Sequence, residues 1–410
     1  MMVEARKTLK ILKAGIAAIG ISVMLAGAAH ADAGFQKWIS DFYSVAAKNG
    51  ISRNTYNSVF NGVREIDPLV LERANYQPEF TSNIWDYLDA RVTKFTVAEG
   101  QRLRVKYKRW FDAIEKRFGV DRDILLAIWS IETIYGDYLT RPDSTHHIGQ
   151  ALATLAYKDR RRAKYARTQL VSALKIVQNG DISAKGLRGS WAGAMGHTQF
   201  IPTSYQAWAV DIDGDGRRDV WNSPPDALAS SANLLSKNGW VRGQTWGYEV
   251  VAPKGFNTKL ADKDGYRIRD FAKLGVKRAN GRAFGNHDAK AVLKFPGGTN
   301  GPAFLMMRNF YVLKRYNNAD KYALAVGHLA DRIAGAGPII QQWPRGYVPM
   351  DDEERMEAQK HLKRLGFYDG EIDGNIGSGS RAAIREFQKR AGMKADGNPS
   401  RRVLQRLRSS

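Results

Sequence analysis

One carboxylate in this chain stands where a carboxylate is expensive. Glu132 lies in Ile124-Leu125-Leu126-Ala127-Ile128-Trp129-Ser130-Ile131-Glu132-Thr133-Ile134-Tyr135-Gly136, a run apolar on almost every side. As a helix such a run belongs inside a protein. A carboxyl group there must be paired, or must keep its proton. A carboxylic acid held neutral near pH 7 is what general acid catalysis requires. The structural alternative is a carboxylate bonded to an Arg or to backbone N–H groups.

A second cluster is chemical by spacing. Asp211, Asp213, Asp215 and Asp219 occupy positions 1, 3, 5 and 9 of an EF-hand-type loop, with Gly216 at position 6 and Arg217 at position 7. Acidic side chains at alternate positions converge on one point, and a hard cation makes that comfortable. Position 12 is Asn222 rather than Glu, so another residue must complete the shell or affinity is modest. We expect a structural Ca²⁺ and no cofactor for the chemistry itself.

The segment Ser190-Trp191-Ala192-Gly193-Ala194-Met195-Gly196-His197-Thr198-Gln199-Phe200 is dense in small residues. These permit close backbone approach, either in tight packing or against a ligand. Ser190 and Gln199 are its polar orienting groups. The seven histidines, His146 and His147 in tandem among them, show no zinc spacing and are expected in the core or on the surface. No nucleophile elbow, phosphate loop or dinucleotide fingerprint is present.

Composition narrows the class. The chain has 410 residues, 43% hydrophobic and 25% charged, as expected of a globular protein with two or three domains. The absence of cysteine excludes disulfides, thiolate chemistry and N-terminal lipid attachment through cysteine. Net charge is +22, which favours polyanionic partners. Basic residues Arg6, Lys7, Lys10 and Lys13 precede an apolar run from Ala14 to Ala29, and Ala29-His30-Ala31 fits a small-x-small cleavage site. Residues 1–31 therefore read as a signal peptide, with Asp32 the first mature residue. The run is shorter than the ~20 residues a membrane span needs. An exported protein without a stable membrane anchor is expected, and nucleic acid is excluded as its partner.

Several elements must position these groups. Helical spacing runs from Phe35 to about Phe118. Asp121 is the expected N-cap of the Glu132 helix, which should end at Gly136. Further helices are expected at Ile148–Ala156, Ala163–Gln178, Asp226–Asn238 and Lys321–Ile333. Short β-prone runs at Tyr248–Val251 and Ala291–Phe295 predict a small antiparallel insertion. Gly335-Ala336-Gly337-Pro338 and Trp343-Pro344-Arg345-Gly346-Tyr347-Val348-Pro349 break all periodicity and read as a linker to a unit of roughly sixty residues.

Four motifs in order now carry a resemblance: Ile131 to Gly136, the Ala192-Gly193-Ala194-Met195-Gly196-x-x-Gln199-Phe200 block, the acidic loop, and Arg315-Tyr316-Asn317. Across about residues 35 to 345 the chain resembles the B-type lytic murein transglycosylases, glycoside hydrolase family 103. Residues 352–410 are similar to the type 1 peptidoglycan-binding domain, through Leu362, Leu365-Gly366-Phe367-Tyr368, Asp373-Gly374, Phe387-Gln388 and Asp396-Gly397.

The resemblance implies a mainly α (α+β) protein. Its parts would be a signal peptide (1–31), a lysozyme-like catalytic domain (32–345), a linker (346–351) and a three-helix module (352–410). It implies Glu132 as catalytic acid, with Ser190, Gln199, Tyr316 and Asn317 at polar positions of the site. Tyr87 and Tyr322 look like cleft tyrosines. Leu234 stands where some relatives carry an aromatic. The implied substrate is the peptidoglycan glycan strand, cut between N-acetylmuramic acid and N-acetylglucosamine with a 1,6-anhydro product, by a periplasmic monomer. Most glycosidases use two carboxyl groups. Here one recycled Glu is the expectation, because Asp137, five residues on, is poorly spaced to share its face.

Overall fold

The computed structural model describes residues 33–75, 83–141 and 144–410, so the expected signal peptide lies outside the described residues. The chain forms two compact units: Met1–Gln77 with Leu139–Ala207, and Pro78–Tyr138 with Trp208–Ser410. The expected catalytic domain is thus divided between both, and the C-terminal module belongs to the second.

In the first unit a helix over 33–48 is followed by helices Arg53–Phe60 and Pro68–Asn75. Helix Ile148–Lys158 packs on Ala163–Gln178, and both match the sequence periodicity. The first of these two is almost wholly apolar and buries Ile148, Leu152 and Leu155 completely. Its N-cap is His147, whose Nδ1 accepts from Gln150 N–H at 3.3 Å. His146 Nδ1 bonds Asp67 Oδ2 at 2.6 Å. The tandem histidines are therefore structural.

In the second unit the Glu132 helix runs Arg122–Thr133 and packs against Asp320–Ile333 and Lys94–Lys106. Asp121 is its N-cap residue, but its side chain makes no capping bond. The first turn is held instead by Arg122, which pairs with Glu115 and with Asp112. The helix stops short of Gly136. Ile134, Tyr135 and Gly136 are all left-handed, with φ of 51°, 59° and 95°. A β-branched residue there is strained. One tertiary and one local bond hold it: the Tyr135 hydroxyl donates to Thr96 O at 2.6 Å, and Gly136 N–H donates to Thr133 Oγ1 at 3.1 Å. Gly100 makes room for this turn, since a Cβ there would lie 2.6 Å from the Tyr135 hydroxyl.

The β insertion is a four-stranded antiparallel sheet in the order Lys277–Arg278, Gly247–Val251, Ala303–Met306, Val292–Lys294. Its register sets Tyr248 opposite Leu305 and Leu293 opposite Leu305 on the other side. Val250, Phe271, Leu293 and Leu305 fill its core.

The C-terminal module has the three expected helices, Asp352–Arg364, Ser378–Arg390 and Arg401–Arg408, around Leu362, Ile384, Phe387 and Leu404. Two buried glutamines repeat one device. Gln359 Oε1 accepts from Gly374 N–H at 2.7 Å, and Gln388 Oε1 accepts from Gly397 N–H at 2.8 Å. Each amide also donates to the preceding aspartate, Asp373 or Asp396. The Asp-Gly pairs of the sequence are thus turns clamped from inside. No helix among the described residues is long and apolar enough to cross a membrane.

Candidate active site

Glu132 is the penultimate residue of its helix and is half-buried. The Tyr322 hydroxyl donates to its Oε1 at 2.7 Å, from the facing helix Asp320–Ile333. Tyr322 is 2% exposed. Burial raises its pKa well above 10, and the Glu132 charge beside it pushes the same way. The phenol therefore keeps its proton and remains a donor at any working pH. The Tyr316 ring stacks parallel to that of Tyr322, with centroids 6.3 Å apart and 9° between planes. The Tyr316 hydroxyl in turn bonds Ser231 Oγ at 3.1 Å, and Ser231 donates to Ala227 O at 3.0 Å. Glu132 is thus supported by a hydrogen bond to Tyr322, a ring stack from Tyr322 to Tyr316, and a hydrogen bond from Tyr316 to helix Pro224–Lys237. Sequence reading missed Ser231, a small residue in a buried helix with nothing to mark it.

Tyr87, on helix Ile84–Arg91, joins this group. Its ring lies under Lys321 Nζ at 5.4 Å, next to Tyr322, and its phenol adds to the forces raising the Tyr322 pKa. Asn317 is exposed and caps the helix Arg308–Tyr316, its N–H donating to Leu313 O at 3.3 Å. The structure thus gathers Glu132, Tyr87, Tyr316 and Tyr322 in one unit, with Asn317 at the edge.

Ser190 and Gln199 belong to the other unit, where they organise the small-residue loop. Ser190 Oγ accepts from Ala194 N–H at 3.0 Å, and Gln199 Nε2 donates to Gly196 O at 3.0 Å. Gln199 itself is left-handed, with φ 51°. Close packing explains Gly189, where a Cβ would sit 2.1 Å from Ala194 O.

The acidic loop converges differently from its sequence template. Among the described residues, the carboxylate oxygens that come within 4.8 Å of one another are those of Asp211, Asp213 and Asp226. Asp215 and Asp219 lie outside that cluster and close local turns: Asp215 Oδ1 accepts from Arg217 N–H, and Asp219 Oδ1 from Trp221 and Asn222 N–H. Asp226 was not foreseen. It is fully buried, fifteen residues beyond Asp211 and outside the twelve-residue pattern. Its oxygens accept from Ile212 and Asp219 N–H, each at 2.9 Å. Burial first, then Asp213 and Asp211, push its pKa up to about 6. A buried carboxylate repelled by two others is relieved by a cation, so the donor set fits Ca²⁺.

The mainly helical core, with a carboxyl held by a buried phenol, is that of a lysozyme-like lytic transglycosylase, the class of its structural neighbours. The chain belongs to the transglycosylase SLT family, whose domain model matches residues 34–331, and a putative peptidoglycan binding domain matches residues 351–407. It is 30% identical over 300 residues to membrane-bound lytic murein transglycosylase B of Escherichia coli (strain K12), covering 70% of this chain and 80% of that one. Its fold is similar to SltB3 of Pseudomonas aeruginosa, solved in complex with NAG-anhNAM-pentapeptide, at TM-score 0.72 and 42% identity, over 91% of this chain and 99% of that one. It is also similar to the Escherichia coli lytic transglycosylase Slt35 in complex with calcium, at TM-score 0.59 and 28% identity, over 74% of this chain and 93% of that one.

Proposed function

We propose that this lytic transglycosylase cleaves the β-1,4 bond between N-acetylmuramic acid and N-acetylglucosamine with Glu132 as its single acid and base. Protonated Glu132 donates to the glycosidic oxygen as the bond to the anomeric carbon breaks. The muramoyl 6-hydroxyl then attacks that carbon and returns its proton to the Glu132 carboxylate. The strand ends in 1,6-anhydromuramic acid, and no water is consumed. The observation that carries this reading is the Tyr322 bond to Glu132 Oε1. A donor that never ionises fixes the carboxyl in both protonation states, as a group that gives and then takes a proton requires. The anhydromuramoyl ligand named for the SltB3 complex supports the same product.

The acidic cluster is read as a structural Ca²⁺ site in which Asp226 supplies the ligand that Asn222 cannot. The ion would brace the loop and take no part in bond breaking. The charge of +22 suits the carboxylates of peptidoglycan stem peptides. The basic, apolar N-terminal segment supports export to the periplasm, where the enzyme would act as a monomer.

Mass spectrometry of digested sacculi tests the reaction. Anhydro ends, each lighter by one water than a reducing end, are expected. Reducing ends alone would make the enzyme a hydrolytic muramidase.

A further inference from the structure

The segment between the catalytic region and the C-terminal module has no regular secondary structure, yet it is not slack. Trp343 stacks on Phe304 and lies 6.2 Å from the Trp85 ring. Ile340 and Gln341 N–H groups donate to the Glu249 carboxylate at 2.9 and 2.8 Å. Arg345 then forms a two-pronged pair with Asp89, at 2.5 and 2.9 Å. From the module itself, Arg381 pairs with Asp86 at 2.7 Å, and Arg355 donates to Asp89 O at 2.9 Å. Asp86 and Arg355 are each only 8% exposed. Lys94 N–H adds a bond to Asp352 at 3.0 Å.

The contacts of Trp343, Arg345, Arg355 and Arg381 fall on one short helix, Ile84–Arg91, the helix that carries Tyr87. Asp86 and Asp89 are three residues apart and share a face. At about 100° per residue, Tyr87 stands about 100° from one and 160° from the other, on the side away from both. The same helix packs on Asp320–Ile333, which carries Tyr322. A short helix has little rigidity of its own. Here one face is paired with arginines from the C-terminal region, and the other carries Tyr87, whose ring lies under Lys321, the neighbour of Tyr322.

We propose that Arg381, Arg355 and Arg345 are positioning residues for catalysis, acting through Asp86 and Asp89 to hold Tyr87 beside Tyr322, the partner of Glu132. The proposal rests on the reading of Glu132 as the reacting carboxyl. On it, the module sets the geometry of the site as well as gripping the wall. Small displacements of a positioning group are costly in rate.

The test uses the full chain and a peptide-free GlcNAc–MurNAc tetrasaccharide alongside intact sacculi. Arg381→Ala is expected to lower kcat on the tetrasaccharide about tenfold and change KM less than about twofold. In a Tyr87→Ala background the same substitution should have no further effect, since Arg381 acts only through Tyr87. Circular dichroism and a thermal melt monitor folding. Should Arg381→Ala unfold the module, Arg381→Lys keeps the charge and should restore most of kcat. Unchanged kcat on the tetrasaccharide, with slower clearance of sacculi alone, would make the module a tether and overturn the proposal. So would a full additional loss on top of Tyr87→Ala. Glu132→Gln run beside them separates the two failures. If it stays active the catalytic reading falls; if it is dead while Arg381→Ala is unaffected, only the positioning role falls.

Discussion

The Tyr322 hydroxyl donates to Glu132 Oε1 across 190 residues of chain, joining two helices that pack face to face. The bond defines the orientation of the carboxyl, and its loss should be felt in turnover more than in binding. Hydrogen bonds to charged groups contribute about 1.5–3 kcal/mol, so Tyr322→Phe should lower kcat about 10- to 100-fold. Phe retains the ring that stacks on Tyr316. Glu132→Gln should abolish activity on the same substrate. Steady-state kinetics on a soluble glycan, with wild-type secondary structure confirmed, decides both.

Ser231 steadies Tyr316, the ring stacked on Tyr322. Ser231→Ala removes the partner of the Tyr316 hydroxyl without opening a large cavity. A neutral hydrogen bond contributes about 1 kcal/mol, so a fall of about fivefold in kcat is expected. An effect as large as that of Tyr322→Phe would mean that Ser231 does more than steady a ring.

For the acidic cluster, a thermal melt in chelator followed by added Ca²⁺ should show stabilisation of about 3 kcal/mol at a hundredfold excess over the dissociation constant. Asp226→Asn should remove most of that gain, and Asp215→Asn, outside the cluster, should leave it. Equal losses in the two variants would return the site to the twelve-residue template.

Stability should also depend on Asp331. This partly buried carboxyl accepts from Trp246 Nε1 at 3.0 Å, and burial pushes its pKa up to about 7. The unfolded value is 3.8. Between these two pH values the folded state holds a proton that the unfolded state has lost. Its contribution is therefore fully present below pH about 4 and is lost as pH rises through about 7. At 1.4 kcal/mol per unit the change is a few kcal/mol at most. Asp331→Asn keeps an acceptor for Trp246 and should flatten the slope in denaturant titrations at pH 5 and 8. An unaltered slope would assign the dependence to other groups.

Local pattern made some of this legible in the sequence. Periodicity and caps foretold helices Ile148–Lys158, Ala163–Gln178, Pro224–Lys237 and Asp320–Ile333 to within a residue or two at most ends, because each buries one apolar face. The paired tyrosines came from the family resemblance, and the structure brings them to Glu132. Long-range interactions decided the rest. The Glu132 helix ends early because Tyr135 is tied to Thr96, 39 residues upstream. Asp226 follows Ser223 at capping spacing, and Ser223 Oγ does accept from Asp226 N–H. Its carboxylate turns instead to Ile212 and Asp219, which no local rule foretells. Asp86 and Asp89 carry no mark in the sequence, because the arginines that pair with them lie more than 250 residues away.

A module pinned at Asp86 and Asp89 cannot search the volume that a flexible tether of the same length would sweep. Its ligand and the scissile bond must be met at one fixed offset.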